Sequence, residues 1–150
     1  MPRIAVLLML AGLAACNVVA TFPESARDAG RNRELVVAFY TTVFIKKQVA
    51  AGFAQYVGPQ YIQHNPRAPD GAEAAVQFLT RAITPESIAE IKRVVAENDL
   101  VVLHVHSRSN AQDRGRAIVD IFRVENGKIV EHWDVIQPVP EQAANSNTMF

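Results

Sequence analysis

The second half of the chain restricts the fold most, because it consists of four segments in which apolar and polar residues alternate. These segments are Ile88–Ala96, Leu100–Arg108, Arg116–Val124 and Ile129–Gln137. The last two flank Glu125-Asn126-Gly127-Lys128, and Asn-Gly between alternating segments is a strong β-hairpin signal, since both residues tolerate left-handed backbone angles. The pattern predicts a meander of long antiparallel strands.

Three helices are predicted before these strands. In the first, about residues 31–46, apolar side chains recur at three- and four-residue spacing, which is typical of an amphipathic helix. The second covers about residues 47–57 and ends at Gly58-Pro59, the short segment Gln60–His64 predicts a strand, and Ala72–Ile83 predicts the third helix. Helices followed by a strand meander indicate an α+β fold with the helices packed on one face of a curved, mostly antiparallel sheet.

The N-terminal residues have the pattern of an export signal. A short apolar run from Ile4 to Leu10 leads into Leu13-Ala14-Ala15-Cys16, which resembles the lipobox of bacterial lipoproteins. We therefore predict a lipoprotein signal peptide at residues 1–15, a tether at residues 16–30 and one domain at residues 31–150. Cys16 is the only cysteine, and lipidation at this residue would place the protein in the cell envelope, on the periplasmic side of a membrane.

The charge balance excludes several kinds of partner. Fifteen basic residues match fifteen acidic ones, with no run of either sign, so the chain lacks the basic surface that binds phosphate backbones. We expect no nucleic-acid partner. For the same reason we expect membrane attachment only through acyl chains on Cys16.

Asp120 is the most informative polar residue of the strands. Alternation places it on one face with Ile118 and Phe122, in an apolar setting where aspartate is rare. Burial would raise the pKa of this carboxyl group and a neighbouring imidazolium would lower it, so Asp120 is a candidate for proton transfer. A buried ion pair without function is the alternative.

Three histidines are candidate companions of Asp120. His104 and His106 share one face of their strand. His132 depends on the last hairpin: a two-residue turn would pair Asp120 with Trp133, whereas a three-residue loop would pair it with His132. We favour the second register, which groups His132, Asp134 and Ile136 with Ile118, Asp120 and Phe122.

Other residues are candidates for binding a substrate. His64 and Asn65 end the short strand and could reach the mouth of a pocket, although Asn65-Pro66 could also merely turn the chain. Phe39 and Tyr40 of the first helix would shape the pocket walls, together with Ile118 and Phe122, and Asp134 would lie near its edge. The chain has no closely spaced pair of histidines or cysteines, so we expect neither a metal nor a cofactor.

Three strings, YIQHNP, VVAENDLVVLHVHS and VDIFRVENGKIVEHWDVIQPVP, resemble the SnoaL-like polyketide cyclases of the nuclear-transport-factor-2-like superfamily, particularly the branch described as aldol-condensation enzymes. The resemblance covers about residues 31–150. It implies a cone-shaped α+β barrel, a bent sheet wrapped by three helices. In the characterised cyclases an aspartate on the penultimate strand is the general acid/base beside a histidine, and Asp120 occupies that place. The separate general-base aspartate of the distant ketosteroid isomerases has no counterpart here.

These observations lead to three hypotheses. The first is an enzyme of lyase or isomerase type that performs cofactor-independent acid/base chemistry on a small carbonyl compound, with Asp120 exchanging the proton and His104 or His106 orienting it. The second is a non-catalytic envelope lipoprotein that binds a small apolar ligand. The third is a homodimeric interaction module that uses the outer sheet face, where Ile121, Trp133 and Val135 would otherwise be exposed.

Overall fold

The computed structural model describes residues 24–150, with side chains from Asp28 onward. Its elements are, in order, α1 (Glu24–Tyr40), a π-helical turn (Thr41–Ile45), α2 (Val49–Tyr56), β1 (Val57–Gln63), α3 (Ala72–Ala82), β2 (Ile88–Glu97), β3 (Leu100–Arg108), β4 (Arg116–Glu125) and β5 (Lys128–Pro138). The predicted signal peptide, Cys16 and the first part of the predicted tether lie outside the described residues. No helix within residues 24–150 is long and apolar enough to cross a membrane.

The five strands form one sheet in the order β1-β5-β4-β3-β2. β2 to β5 pair with one another as an antiparallel meander, whereas β1 lies parallel to β5 at the edge. The helices pack against one face of this sheet, with α1 on β2 and β3 and α3 on β1. The predicted α+β fold with a curved sheet and N-terminal helices is confirmed.

The core lies between α1, α2 and the inner face of the sheet. Phe39 of α1 makes edge-on contacts with Phe53 of α2 and Phe122 of β4, and Phe53 in turn contacts Tyr61 of β1. All four rings are buried, and each buried aromatic side chain stabilises the fold by about 1.5–3 kcal/mol. These contacts fix α1 and α2 over β4, the strand that carries Asp120.

The first helix begins earlier than the sequence pattern predicts. α1 starts at Glu24, so residues 24–30, which were assigned to the tether, are helical. The prediction failed because this segment has no apolar stripe. Its Ala, Arg and Glu residues nevertheless favour a helix, and proline at position 23 suits a helix start. β1 also begins earlier than predicted, at Val57. It includes Gly58-Pro59, which was expected to end the second helix.

The last hairpin differs from both predicted registers. Its turn has two residues, Asn126 and Gly127, with φ of 51° and 71°, the left-handed pair that a tight hairpin requires. A bulge follows: Val124 pairs with Ile129 but Arg123 pairs with Glu131, which leaves Val130 as an extra residue. Asp120 therefore lies opposite Asp134, not opposite Trp133 or His132. Because the bulge adds one residue, His132, Asp134 and Ile136 still share the face of Asp120, as predicted.

Candidate active site

A pocket of about 320 Å³ lies between the inner face of the sheet and the helices. Its walls are mostly apolar and include Phe39, Phe53, Phe122, Leu79 and Ile118. Several of its polar groups lie on β4 and β5 and at the end of β1, and others come from β3 and the loops. This combination of apolar walls and a few convergent polar groups is typical of a small-molecule site.

Asp120 lies in this pocket and is only 5% exposed. Its Oδ1 atom is 3.1 Å from Nε2 of His132, which is 8% exposed. Its Oδ2 atom is buried and has no hydrogen-bond partner among residues 28–150. An unpaired buried carboxylate oxygen is unfavourable, so Oδ2 is available to a ligand group or a proton.

Gln63 determines which ring nitrogen of His132 carries a hydrogen. The Asn65 backbone N–H donates to Gln63 Oε1 over 2.9 Å, which fixes the orientation of the Gln63 amide. The same Oε1 is 3.0 Å from His132 Nδ1, so Nδ1 must carry a hydrogen and donate it. Nε2 then either accepts a proton from Asp120 or donates one to it. The pair thus holds one exchangeable proton between Oδ1 and Nε2.

A second carboxylate, that of Asp134, lies directly opposite Asp120 on the neighbouring strand β5. Asp134 Oδ2 accepts a 2.6 Å hydrogen bond from Nδ2 of Asn65. The Asn65 amide is itself oriented, because its Oδ1 accepts the backbone N–H of Arg67. Asn65 therefore holds Asp134 in place beside the Asp120–His132 pair.

Burial raises the pKa of Asp120 above its ordinary value. The hydrogen bond and charge of His132 lower the pKa, the charge of Asp134 adds to the increase, and the neighbouring Tyr40 hydroxyl makes a smaller lowering contribution. Burial outweighs the histidine, so this carboxyl group takes up a proton more readily than an exposed aspartate does.

Two tyrosine hydroxyls adjoin the same carboxylates. Burial, followed by the charge of Asp120, raises the pKa of both Tyr40 and Tyr61 above the ordinary value. Both hydroxyls therefore stay protonated at neutral pH and can donate a hydrogen bond to an oxygen that gains negative charge.

Asp120, His132 and Asp134 could also hold a cation together. Each offers one ligand atom, and these atoms lie within 4.8 Å of one another. One imidazole and two carboxylates suit a divalent metal. Any assay of this pocket therefore needs control of its metal content.

The structure brings most of the predicted site residues together. Those that line the pocket are Asp120, His132, Asp134, Asn65, Phe39, Tyr40, Ile118 and Phe122. The prediction failed for His104 and His106, because β3 places Leu103 beside Asp120 on the inner face and its histidines on the other face. Both histidines lie on the outer face and stack against Phe150.

His64 also lies outside the pocket. Its ring stacks on Trp133 with the centroids 4.7 Å apart, and its Nε2 is 2.9 Å from Glu131. Alternation explains this position: Tyr61, Gln63 and Asn65 point inward, so His64 points outward. Tyr61 and Gln63 were not predicted as site residues, although alternation along this segment groups them with Asn65.

Comparison with known proteins places the chain in a structural context. The model of the SnoaL-like domain family matches residues 36–132. A search of curated proteins finds no significant match. Similar solved structures include a candidate ketosteroid isomerase from Kribbella flavida, with 14% identity, 79% of this chain and 86% of that chain covered, and a TM-score of 0.65.

Two further structures have the same architecture. A candidate polyketide cyclase from Bacillus cereus is 22% identical over 75% of this chain and 78% of that chain, with a TM-score of 0.62. A nuclear-transport-factor-2-like protein of unknown function from Mesorhizobium loti is 22% identical over 73% of this chain and 93% of that chain, with a TM-score of 0.61. At these identities the likeness establishes the fold.

Proposed function

Because the chain belongs to the SnoaL-like domain family, we propose that its pocket performs cofactor-independent acid/base chemistry on a small carbonyl compound, of the aldol, cyclisation or isomerisation type. The observation that carries this proposal is the state of Asp120. One of its oxygens lies 3.1 Å from His132 Nε2, and the other is buried within the pocket with no hydrogen-bond partner among residues 28–150. A base with these properties suits removal of a proton from carbon.

The reaction begins at the carbon next to the substrate carbonyl. Its C–H bond breaks, the proton moves to Asp120 Oδ2, and the electron pair moves through the new carbon–carbon double bond to the carbonyl oxygen. A tyrosine hydroxyl, from Tyr40 or Tyr61, stabilises the resulting enolate by donating a hydrogen bond. In a substrate with a β,γ double bond the enolate is conjugated, and returning the proton to the γ carbon gives the α,β-unsaturated isomer. Attack of the enolate carbon on a second carbonyl, whose oxygen then takes the proton, gives aldol addition or cyclisation.

His132 tunes the base in this scheme. Through Nε2 it keeps the proton-accepting carboxylate in one orientation, and Gln63 keeps the imidazole in the required tautomer. In the sequence-based hypothesis His104 or His106 had this role. Both lie on the outer face, so the proposal gives this role to His132 instead.

Deuterium exchange tests this proposal without knowledge of the natural substrate, since all three reaction types begin with the same proton removal. Protein dialysed against EDTA is incubated in D₂O with a panel of ketones that starts from 1-indanone, and loss of the α-proton signal is followed by NMR. We expect catalysed exchange by the wild-type protein and a rate at least about 100-fold lower for Asp120→Asn. Asp99→Asn, in the exposed β2–β3 turn, is the matched control and should exchange at the wild-type rate.

A non-catalytic binding protein is the second candidate function, and the apolar walls of the pocket favour it. It predicts that wild type and Asp120→Asn bind an apolar ketone equally well and that neither accelerates exchange. An Asp120→Asn variant that exchanges as fast as wild type would contradict the enzymatic proposal directly. Exchange that disappears with EDTA and returns with a divalent metal would instead assign the chemistry to a metal ion.

A further inference from the structure

Of the arginines that line the pocket, one lies where β4 begins and one in the segment that follows β1. Arg116, the first residue of β4, pairs with Pro138 at the end of β5 and with Ser107 near the end of β3. The segment after β1 brings Arg67 to the same pocket. Both arginines are exposed, in contrast to the buried Asp120.

Charge is therefore distributed unevenly along this pocket. Five charged residues line it: Asp120, Asp134, Arg67, Arg108 and Arg116. The negative groups belong to the interior sheet face, and the arginines lie at the strand ends and in the loop after β1. The pocket has an acidic floor and a basic rim.

Two of the three arginines at this rim have no ionic partner. Arg108 is bonded to Glu90. Arg67 and Arg116 form no ion pair with any of residues 28–150.

Asp113 is the acidic group that Arg116 influences. Hydrogen bonds from Ser109 and Gly115 lower the pKa of Asp113 to about 2, and Arg116 adds the smallest contribution. The carboxylate is thus already bound by its own loop, which leaves the Arg116 guanidinium available.

We propose that Arg67 and Arg116 form an anion subsite, and that the substrate of this pocket is an oxo acid whose carboxylate binds at the rim while its carbonyl group lies beside Asp120. The reactive part of this inference rests on the proposed function, whereas the anion subsite stands on the arginines alone. Guanidinium groups suit this role, because each can donate two parallel hydrogen bonds to a carboxylate.

The charge distribution also fixes the orientation of such a ligand. A carboxylate at the floor would meet Asp120 and Asp134, and like charges in a buried site repel. At the rim it meets the two arginines, and the nearby Asp113 is already bound within its own loop. With about 320 Å³ available, the apolar walls accommodate a compact hydrocarbon body between the two ends.

A matched pair of probes tests the subsite. 2-Naphthoate and 2-naphthamide have nearly the same size and shape, but only the first carries a charge, and the dissociation constants of both are measured by calorimetry at low salt. We expect wild type to bind 2-naphthoate at least about five-fold more tightly than 2-naphthamide, the order expected for charge pairs at an exposed rim. This preference should shrink at high salt.

Substitutions assign the preference to the two arginines. Arg67→Gln and Arg116→Gln should each reduce it, and the double variant should bind both probes equally, with unchanged affinity for 2-naphthamide. Arg114→Gln is the control, because Arg114 is exposed in the same loop as Asp113 but does not line the pocket. Thermal melts confirm that each variant is folded.

Three results would overturn the anion subsite: equal binding of the two probes by wild type, a preference that survives in the double variant, or no binding of 2-naphthoate at millimolar concentration. None of these results bears on deuterium exchange with neutral ketones. Conversely, a naphthoate preference that depends on the arginines, in a protein that catalyses no exchange, would retain the subsite and reject the enzymatic proposal.

Discussion

Asp120 could be predicted from the sequence as a pocket residue, whereas its histidine partner could be predicted only in part. Asp120 was identifiable because a charged residue in an apolar strand requires a special environment. His104 and His106 were misplaced because alternation shows which side chains share a face, but not which face lies inward. That choice depends on strand pairing, and β3 places Leu103 opposite Asp120. His132 was placed on the correct face although its predicted cross-strand partner was wrong.

Asp120 also determines how stability depends on pH. Its pKa is raised in the folded state. Between the ordinary aspartate pKa of the unfolded chain and this raised pKa, the folded chain therefore holds a proton that the unfolded chain has lost. Across that window the carboxylate increasingly destabilises the folded state; below the window it has no such effect. We expect a carboxylate that lowers the stability of the fold in this way where a base must remain reactive.

Asp120→Asn should therefore stabilise the protein, and more so at pH 8 than at pH 4. We expect a gain of about 1–2 kcal/mol at pH 8, within the usual range for single substitutions, measured by urea unfolding across the pH range. Asp99→Asn serves again as the exposed control. A variant that is less stable than wild type at pH 8 would mean that the His132 pairing outweighs burial.

At the scale of elements, the four strands β2 to β5 were predictable nearly to the residue because each is bounded by turn-forming residues and alternates clearly. The hairpin register was not, because the bulge at Val130 leaves no sequence signal in a strand that alternates on both sides of it. The start of α1 was missed for a different reason. A polar helical turn is specified by intrinsic propensity, which is a weaker signal than an apolar stripe.

The loop between β3 and β4 offers a test of how its backbone supports the pocket rim. Gly115 has φ of +81°, and a Cβ there would overlap the Ser107 carbonyl oxygen and lie 2.6 Å from Arg108 Cγ. Gly127 has a similar φ of +71° but nothing within 4 Å of its Cβ position. The two glycines therefore separate the cost of the backbone conformation from the cost of the contact.

Gly127→Ala should lower the free energy of unfolding by about 1 kcal/mol, the cost of a left-handed backbone for alanine. Gly115→Ala should lower it by about 2–4 kcal/mol, because the loop must also move. Urea unfolding of both variants measures the difference. Equal losses would show that the loop relaxes freely and does not constrain Arg116.

At the scale of the whole molecule, the two faces of the sheet differ in how completely they are covered. The helices cover the inner face. On the outer face Phe150 covers His104 and His106, and His64 covers part of Trp133. Val95 and Val135 remain 63% and 65% exposed, and half-buried Ile121 pairs with Trp133 on the same face. The sequence predicted this apolar surface from alternation alone, and exposed apolar surface of this kind favours association.

We propose that a second copy of the chain covers this surface, because an isologous pair would bury the same apolar residues on both subunits. Sedimentation of residues 24–150 should then show a dimer at micromolar concentration. Val135→Lys should shift the equilibrium to monomer by placing a charge within the contact. Ile45→Lys is the control, since Ile45 is 44% exposed in the π-helical turn and not on the sheet. A wild-type monomer at about 50 µM, well above a micromolar dissociation constant for such a contact, or a Val135→Lys dimer, would contradict this arrangement and leave the outer face free for a different partner.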